Sequence, residues 1–218
     1  NMALAPVLDT LTSTRNGNLN TRSFGPDHAL NAVLGVAAMA GFQQQGVIAV
    51  GKHFPGDGLS SNNPHTTMVT VDADRATLDE TLLVPFKAAI DAGIDGMMTM
   101  PARFTALDPE RSAIISRKVT HGLLREELGF GGLVVTDALG MAGASFGAPE
   151  GQSPALTALQ AGADVLLEIV IPLEEATALV EEISAALDSG ALDAEEFEAS
   201  TRRILAMKQR YCLFDVAS

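Results

Sequence analysis

Short, almost uninterrupted apolar runs recur along this chain, and most are followed by a helix-length stretch that stops at glycine. The runs are Met2 to Leu8, Val47 to His53, Gly96 to Met100, residues 132–137 and Asp164 to Ile169. Helical stretches are expected at Pro26 to Gln45, Leu78 to Ala92, Val119 to Leu128 and Pro154 to Ala161. In the second of these, Leu82, Leu83, Phe86, Ala89 and Ile90 fall on one stripe at helical spacing. Two acidic helices, roughly Leu173 to Leu187 and Ala194 to Arg210, finish the chain. Strand–helix alternation repeated five times predicts parallel strands with right-handed crossovers. The strands are too apolar to alternate, so both sheet faces should be covered. Five such units do not close an eight-stranded barrel. Two architectures remain: an open doubly wound sheet, or a barrel partly outside this chain.

At 218 residues the chain suits one domain with a sizeable core. Its 47% hydrophobic content and mean hydropathy of +0.21 are those of a packed globule. A net charge of −13 argues against nucleic acid, which needs a basic footprint, and against an anionic membrane surface. The longest nearly apolar helical stretch, Leu30 to Phe42, is too short to span a bilayer. No signal peptide is evident, though the chain opens at Asn1 rather than at an initiator Met. Compartment and oligomeric state are not specified. The single cysteine, Cys212, excludes an intrachain disulfide or a multi-cysteine metal site and reads as filler.

Chemistry is expected where the strands end, because the C-terminal edge of parallel strands collects functional groups. Val47-Ile48-Ala49-Val50 runs into Gly51-Lys52-His53-Phe54-Pro55-Gly56-Asp57-Gly58, a strand emptying into a Pro/Gly loop. The strand 132–137 ends at Asp137, placed either to face a ligand or to cap a following helix. His65 lies in a long loop from Phe54 to about Arg75, and its imidazole suits acid/base work near neutrality, although a loop histidine is more often only solvated. Lys52 and His53, being adjacent, should point to opposite faces unless a bulge intervenes. Lys52 suits a substrate hydroxyl, a Schiff base or an ion pair. Arg22 and Arg103 each follow a strand closely and suit polar substrate groups, against the commoner reading of an isolated surface arginine. The chain has no His-x-x-x-His, phosphate-loop or GxGxxG motif, so neither a metal nor a nucleotide cofactor is expected.

Together these segments resemble the N-terminal catalytic domain of family 3 glycoside hydrolases, in the bacterial β-N-acetylhexosaminidase branch. That family's Lys-His-Phe-Pro-Gly-His-Gly run, closing with Asp-Ser-His, is matched by Lys52 to Gly58 closing with Asn63-Pro64-His65. Its Leu-Arg-x-Glu-Leu-Gly-Phe-x-Gly run is matched by Leu124 to Gly132. The nucleophile motif is matched by Thr136-Asp137-Ala138-Leu139-Gly140-Met141. Ala5 to Asp9 and Arg22 to Phe24 match two further segments.

The resemblance implies a (β/α)8 TIM-type barrel, incomplete here, with residues 1–218 forming a single N-terminally truncated barrel domain. It implies a retaining exo-β-N-acetylglucosaminidase acting on cell-wall or chitin-type oligosaccharides, with a small carbohydrate as partner. Asp137 would be the nucleophile and His65 the acid/base. Lys52, His53, Arg22, Asp9 and Met141 would line the sugar subsite. A phosphorylase using the same intermediate, a Schiff-base lyase or aldolase using Lys52, and an inactive sugar-binding remnant are the alternatives. Two departures bear on the acid/base: Asn63 stands where the family has an aspartate, and Asp57 replaces a histidine. A neutral amide orients an imidazole but does not stabilise its cation, so Asp57 is the candidate substitute anion. The family also has about two strand–helix units before the first run seen here.

Overall fold

A computed structural model describes residues 1–12, 19–60, 66–169 and 171–214. Five parallel strands form the main sheet: β1 (Met2–Ala3), β2 (Ile48–Phe54), β4 (Gly96–Thr99), β6 (Leu133–Ala138) and β7 (Val165–Leu167), paired in that order. Between them run α1 (His28–Gln44), the joined segments α2 (Arg75–Thr77), a π-helical Leu78–Leu82 and α3 (Leu83–Asp91), a π-helical Lys118–Glu127, and α4 (Pro154–Ala161). Helices α5 (Leu173–Asp188) and α6 (Ala194–Arg210) follow.

Sheet order decides between the two architectures. A doubly wound sheet reverses its strand order at a switch point; here each successive main strand is added at the same edge. The crossover helices also gather on one face. There Ala49, Met97 and Val134 pack with Met39, Phe86, Ala89, Leu123, Leu124, Ala155 and Ala158. The opposite face carries Ile48, Val50, Met98, Leu133 and Val135 and meets Ile204, Met207, Tyr211 and Leu213 near the C-terminus. A single-wound, curled parallel sheet with helices on its outside is part of a (β/α) barrel.

Local chemistry sets the element ends. Asp27 caps α1 by accepting from the Ala29 and Leu30 amides at 2.9 and 3.0 Å. Ser153 caps α4, Pro154 occupies its first turn, and the left-handed Gly162 closes it. Asp74 caps the helical run at Arg75, so that run begins earlier than the stripe from Leu78 suggests.

Strands differ from expectation in two ways. β1 is short, with only an isolated bridge at Val7–Lys52 continuing it toward Leu8, and β7 spans less than the expected Asp164 to Ile169. A second, two-stranded parallel sheet, β3 (Val69–Val71) with β5 (Ala102–Phe104), lies within stretches expected to be loops. Cys212 is exposed, not packed as filler.

The N-terminal edge of the sheet is held by two buried carboxylates. Asp164 accepts from Arg125 Nη2 at 2.6 Å, Arg203 Nε at 2.9 Å and the Val134 amide at 2.8 Å. Asp95 accepts from Arg210 Nη1 at 2.8 Å, the Ala49 amide at 3.2 Å and the Tyr211 hydroxyl. Burial, then the bond to the Asp95 carboxylate and its charge, push the Tyr211 phenol up to about 12. α6 is thereby fastened across the end of the sheet opposite the expected chemistry.

In the helix-covered core, Phe86 is fully buried and meets Phe54 edge-on, centroids 5.5 Å apart. Phe54 closes β2 directly beyond Lys52 and His53. Phe86→Ala should cost about 3–5 kcal/mol of unfolding free energy. Urea denaturation followed by circular dichroism measures this; a loss below about 1 kcal/mol would show that the core closes over the gap.

Candidate active site

Strands β1, β2 and β6 deliver the candidate residues at their C-terminal ends. Asp9, just beyond the Val7 bridge, is fully buried and organises the neighbourhood. Its Oδ2 accepts from the His53 amide at 3.0 Å and lies 2.6 Å from His53 Nδ1; its Oδ1 accepts from the Asp57 amide at 2.8 Å. An anionic acceptor against Nδ1 places the proton there. His53 Nε2 then faces Arg22 Nη2, which can only donate, at 3.4 Å. Asp9, expected to line the sugar subsite, is fully buried and holds His53 and the start of the loop.

Arg22 ends a short 3₁₀ turn, Asn20–Arg22, tied to the same point. The next residue, Ser23, donates to the Asp9 carbonyl at 2.6 Å, and Asn31 Nδ2 reaches that carbonyl at 3.2 Å and the Gly25 carbonyl at 3.0 Å. The loop after β2 is locked to the loop after β1 in turn: Thr12 Oγ1 donates to the Gly58 carbonyl at 2.6 Å. A Cβ on Gly58 would fall 1.7 Å from the Thr10 carbonyl oxygen, so only glycine permits this approach. Ser23, Asn31 and Gly58 were not singled out as site residues from sequence; loop composition hinted at Ser23 and Gly58, whereas Asn31 lies inside α1 and carried no signal.

Lys52 and His53 do not diverge as simple strand alternation requires. The ladder between β2 and β4 shifts register between Gly51 and Phe54, and the Lys52–His53 peptide is cis. With that register shift both residues sense the same neighbours: Arg22 and Asp9 contact His53, and their charges act on Lys52. Lys52 is half-buried, and its ammonium lies below the usual lysine range, first because of burial and then because of the Arg22 charge; the charges of Asp137 and Asp9 oppose this. The Lys52 amine therefore feels both carboxylates, linking β2 to β6 across the rim.

Asp137, next to last in β6, is half-buried, and its Oδ1 accepts from the Ala138 amide at 2.8 Å. The chain then turns through residues 139–152, and α4 begins only at Pro154 under its own cap, Ser153. Asp137 is thus no helix cap. Met141 is buried in that turn, its amide bonded to the Ala138 carbonyl at 3.1 Å. Asp57 is also buried and accepts from the Ser60 hydroxyl, which anchors the chain just before residue 61. Arg103 follows β4 closely, as expected, but itself lies within β5, its guanidinium 5.3 Å from the Phe146 ring centroid. Asn63 and His65 lie outside the described residues. Among the described residues no group of three His, Cys, Asp or Glu side chains is placed to hold a metal ion, and no helix is long and apolar enough to cross a membrane.

Residues 1–207 match the model of the glycosyl hydrolase family 3 N-terminal domain. The chain belongs to glycosyl hydrolase family 3. Among its relatives is β-hexosaminidase A of Pseudoalteromonas piscicida, 32% identical over 96% of this chain and 38% of that protein. A family 3 β-N-acetylglucosaminidase from a Paenibacillus strain superposes with a TM-score of 0.92 at 39% identity, covering all of this chain and 41% of that one. A β-glucoside phosphorylase superposes at 0.90 with 27% identity, covering 100% of this chain and 40% of that one. The chain spans 38% to 59% of the length of the first curated relatives it matches.

A lysine below its usual range carries a sign that can be tested. Between its lowered folded value and the unfolded value near 10.5, the unfolded chain holds more protons, so stability rises with pH there. At neutral pH the charged, partly desolvated Lys52 therefore opposes folding. Lys52→Met should leave the melting temperature unchanged or raise it by a few degrees. Differential scanning fluorimetry measures this; a variant that melts much earlier would place Lys52 in a structural ion pair.

Proposed function

We propose that this chain carries the catalytic residues of a retaining β-N-acetylhexosaminidase that removes terminal β-linked N-acetylglucosamine from cell-wall or chitin-type oligosaccharides. The observation that carries this reading is the half-buried Asp137 at the end of β6, coupled electrostatically to Lys52 at the end of β2. The names of the hexosaminidase relatives support the sugar.

In the first step an Asp137 oxygen attacks the anomeric carbon as the bond to the leaving oxygen breaks. His65 gives its proton to that oxygen. In the second step His65 takes a proton from water, the water oxygen bonds to the anomeric carbon, and the Asp137 carboxylate leaves. This double displacement requires the carboxylate on one face of the sugar ring and the imidazole within reach of the departing oxygen on the other. Lys52, Arg22 and His53 hold the ring hydroxyls through charge-assisted bonds, and Asp9 keeps His53 in place.

Proton NMR of the first-formed product tests the mechanism. Using p-nitrophenyl β-N-acetylglucosaminide, the β-anomer of the free sugar should appear first. An α-anomer appearing first would rule out a double displacement. A second reading, phosphorolysis, has a specific motive in the phosphorylase neighbour and in an imidazole acid/base, which does not repel an anionic acceptor as a carboxylate would. Sugar 1-phosphate formed only when phosphate is added would select it.

A further inference from the structure

Two arginines share the single carboxylate of Asp164: Arg125 Nη2 reaches Oδ2 at 2.6 Å, and Arg203 Nη2 reaches Oδ1 at 2.9 Å. Besides fastening α6, this leaves one positive charge without a carboxylate of its own among the described residues. Burial holds the Arg125 guanidinium below its usual range; Asp164 opposes this, and the Arg203 charge adds to it. Arg125 Nη1 donates to the Phe130 and Gly132 carbonyls at 3.2 and 3.1 Å, but its Nε is buried with no partner. A buried donor left unspent in this way calls for an acceptor.

Both arginines border a cavity of 220 Å³ between α6, the π-helical Lys118–Glu127 and the end of α4 at Gly162. Ser200, only 7% exposed, lines it from α6, and its hydroxyl has no hydrogen-bond partner among the described residues. Leu159, Ala163, Leu192, Phe197 and Ala199 make the rest of the wall apolar. Glu196, at the edge, has both oxygens taken by Arg117, at 2.6 and 2.9 Å. The polar groups left open to an occupant are therefore chiefly donors.

Charge is graded from floor to mouth. Arg125, Arg203 and Ser200 form the inner wall, whereas Glu126, Asp193 and Glu196 are exposed and all act on the exposed Arg117. His121, half-buried beside them, has Nδ1 3.4 Å from Glu126. An acidic rim repels multiply charged anions, so the donors inside suit a single negative charge. Size narrows the occupant further. A dry cavity of about 150 Å³ accepts benzene, so this one has room for a ring bearing one carboxylate.

We propose that this cavity binds a small monocarboxylate with a compact apolar body, of the size and shape of benzoate. The carboxylate meets the Ser200 hydroxyl and the Arg125 and Arg203 guanidinium groups and neutralises their surplus charge. The apolar body lies among Leu159, Leu192 and Phe197. The cavity adjoins the start of β7, away from the strand ends that carry Lys52 and Asp137, so the inference stands apart from the glycosidase reading. Because its walls come from three elements, an occupant ties α6 to the barrel.

Calorimetric titration of the intact chain with benzoate, benzamide and inorganic phosphate separates charge from apolar bulk. Benzoate should bind about tenfold more tightly than either of the others. It should also raise the melting temperature, since it engages only the folded chain. Ser200→Ala should weaken benzoate about fivefold and leave the ligand-free melting temperature within a few degrees of the parent. Ala199→Leu fills the cavity and should abolish binding; if that variant melts early, Ser200→Ala carries the test alone. No heat and no melting shift with benzoate overturn the proposal. Undiminished benzoate binding in either variant places the ligand elsewhere and overturns it too. Benzamide binding as tightly as benzoate removes the anion recognition, and phosphate doing so removes the need for an apolar body.

Discussion

Asp137→Ala should lower kcat on p-nitrophenyl β-N-acetylglucosaminide by about 10⁴-fold or more, the scale on which loss of a nucleophile is felt when other binding groups remain. The substitution should cost little stability: the side chain is half-buried, and its one hydrogen bond among the described residues is to the neighbouring Ala138 amide. The ratio of those two effects is the informative quantity. A variant that loses activity but melts within a few degrees of the parent places Asp137 at the reacting carbon. One that loses both equally would make it a structural residue. The assay belongs in the 218-residue chain and in any longer polypeptide that contains it, because the family 3 relatives extend well beyond the matched region.

Asp9→Ala should show the opposite balance. Removing this carboxylate strands three buried donors: His53 Nδ1–H and the His53 and Asp57 amides. Each unsatisfied donor costs roughly 1–3 kcal/mol, so a total of about 3–5 kcal/mol is expected after local relaxation. Catalysis should fall as well, since His53 loses its tautomer partner and the loop after β2 loses its anchor. Asp9→Asn retains the volume but turns an NH₂ group or a weaker acceptor toward those donors, and it should sit between Ala and the parent. Chemical denaturation with parallel kinetics distinguishes the two roles. Loss of activity at unchanged stability would mean that Asp9 reaches the substrate after all.

What the sequence made legible follows from how much physics each element concentrates in neighbouring residues. α4 was readable almost to the residue because Ser153, Pro154 and Gly162 are local stop and start signals. β2, β4 and β6 were readable as unbroken apolar runs. β3 and β5 were not, because such short strands cannot show a period, and Pro101 suggested the end of a strand where another soon begins. The site divides in the same way. Asp137 and Lys52 follow from strand ends, but the common orientation of Lys52 and His53 depends on a register shift that only the partner strand reveals. Asp9 illustrates the harder case. Its type and position suited a sugar ligand, and only the convergence of three donors from distant segments shows that its oxygens are already engaged. Asp137 illustrates the reverse: a cap and a ligand-facing carboxylate look alike until the following helix is found to start far downstream, at Pro154 under Ser153.

The fastening of α6 through Asp95 and Asp164 has a bearing on how such a protein can change. The anchoring carboxylates lie where β4 and β7 begin, whereas Lys52 and Asp137 lie where β2 and β6 finish. On the function proposed above, cohesion and selectivity reside at opposite poles of one sheet. Grafting new turns onto the Lys52 pole, to accept a different aglycone, leaves the Arg125, Arg203 and Arg210 clasps undisturbed, so specificity is free to diverge among descendants of this scaffold without first securing a new way to stay folded.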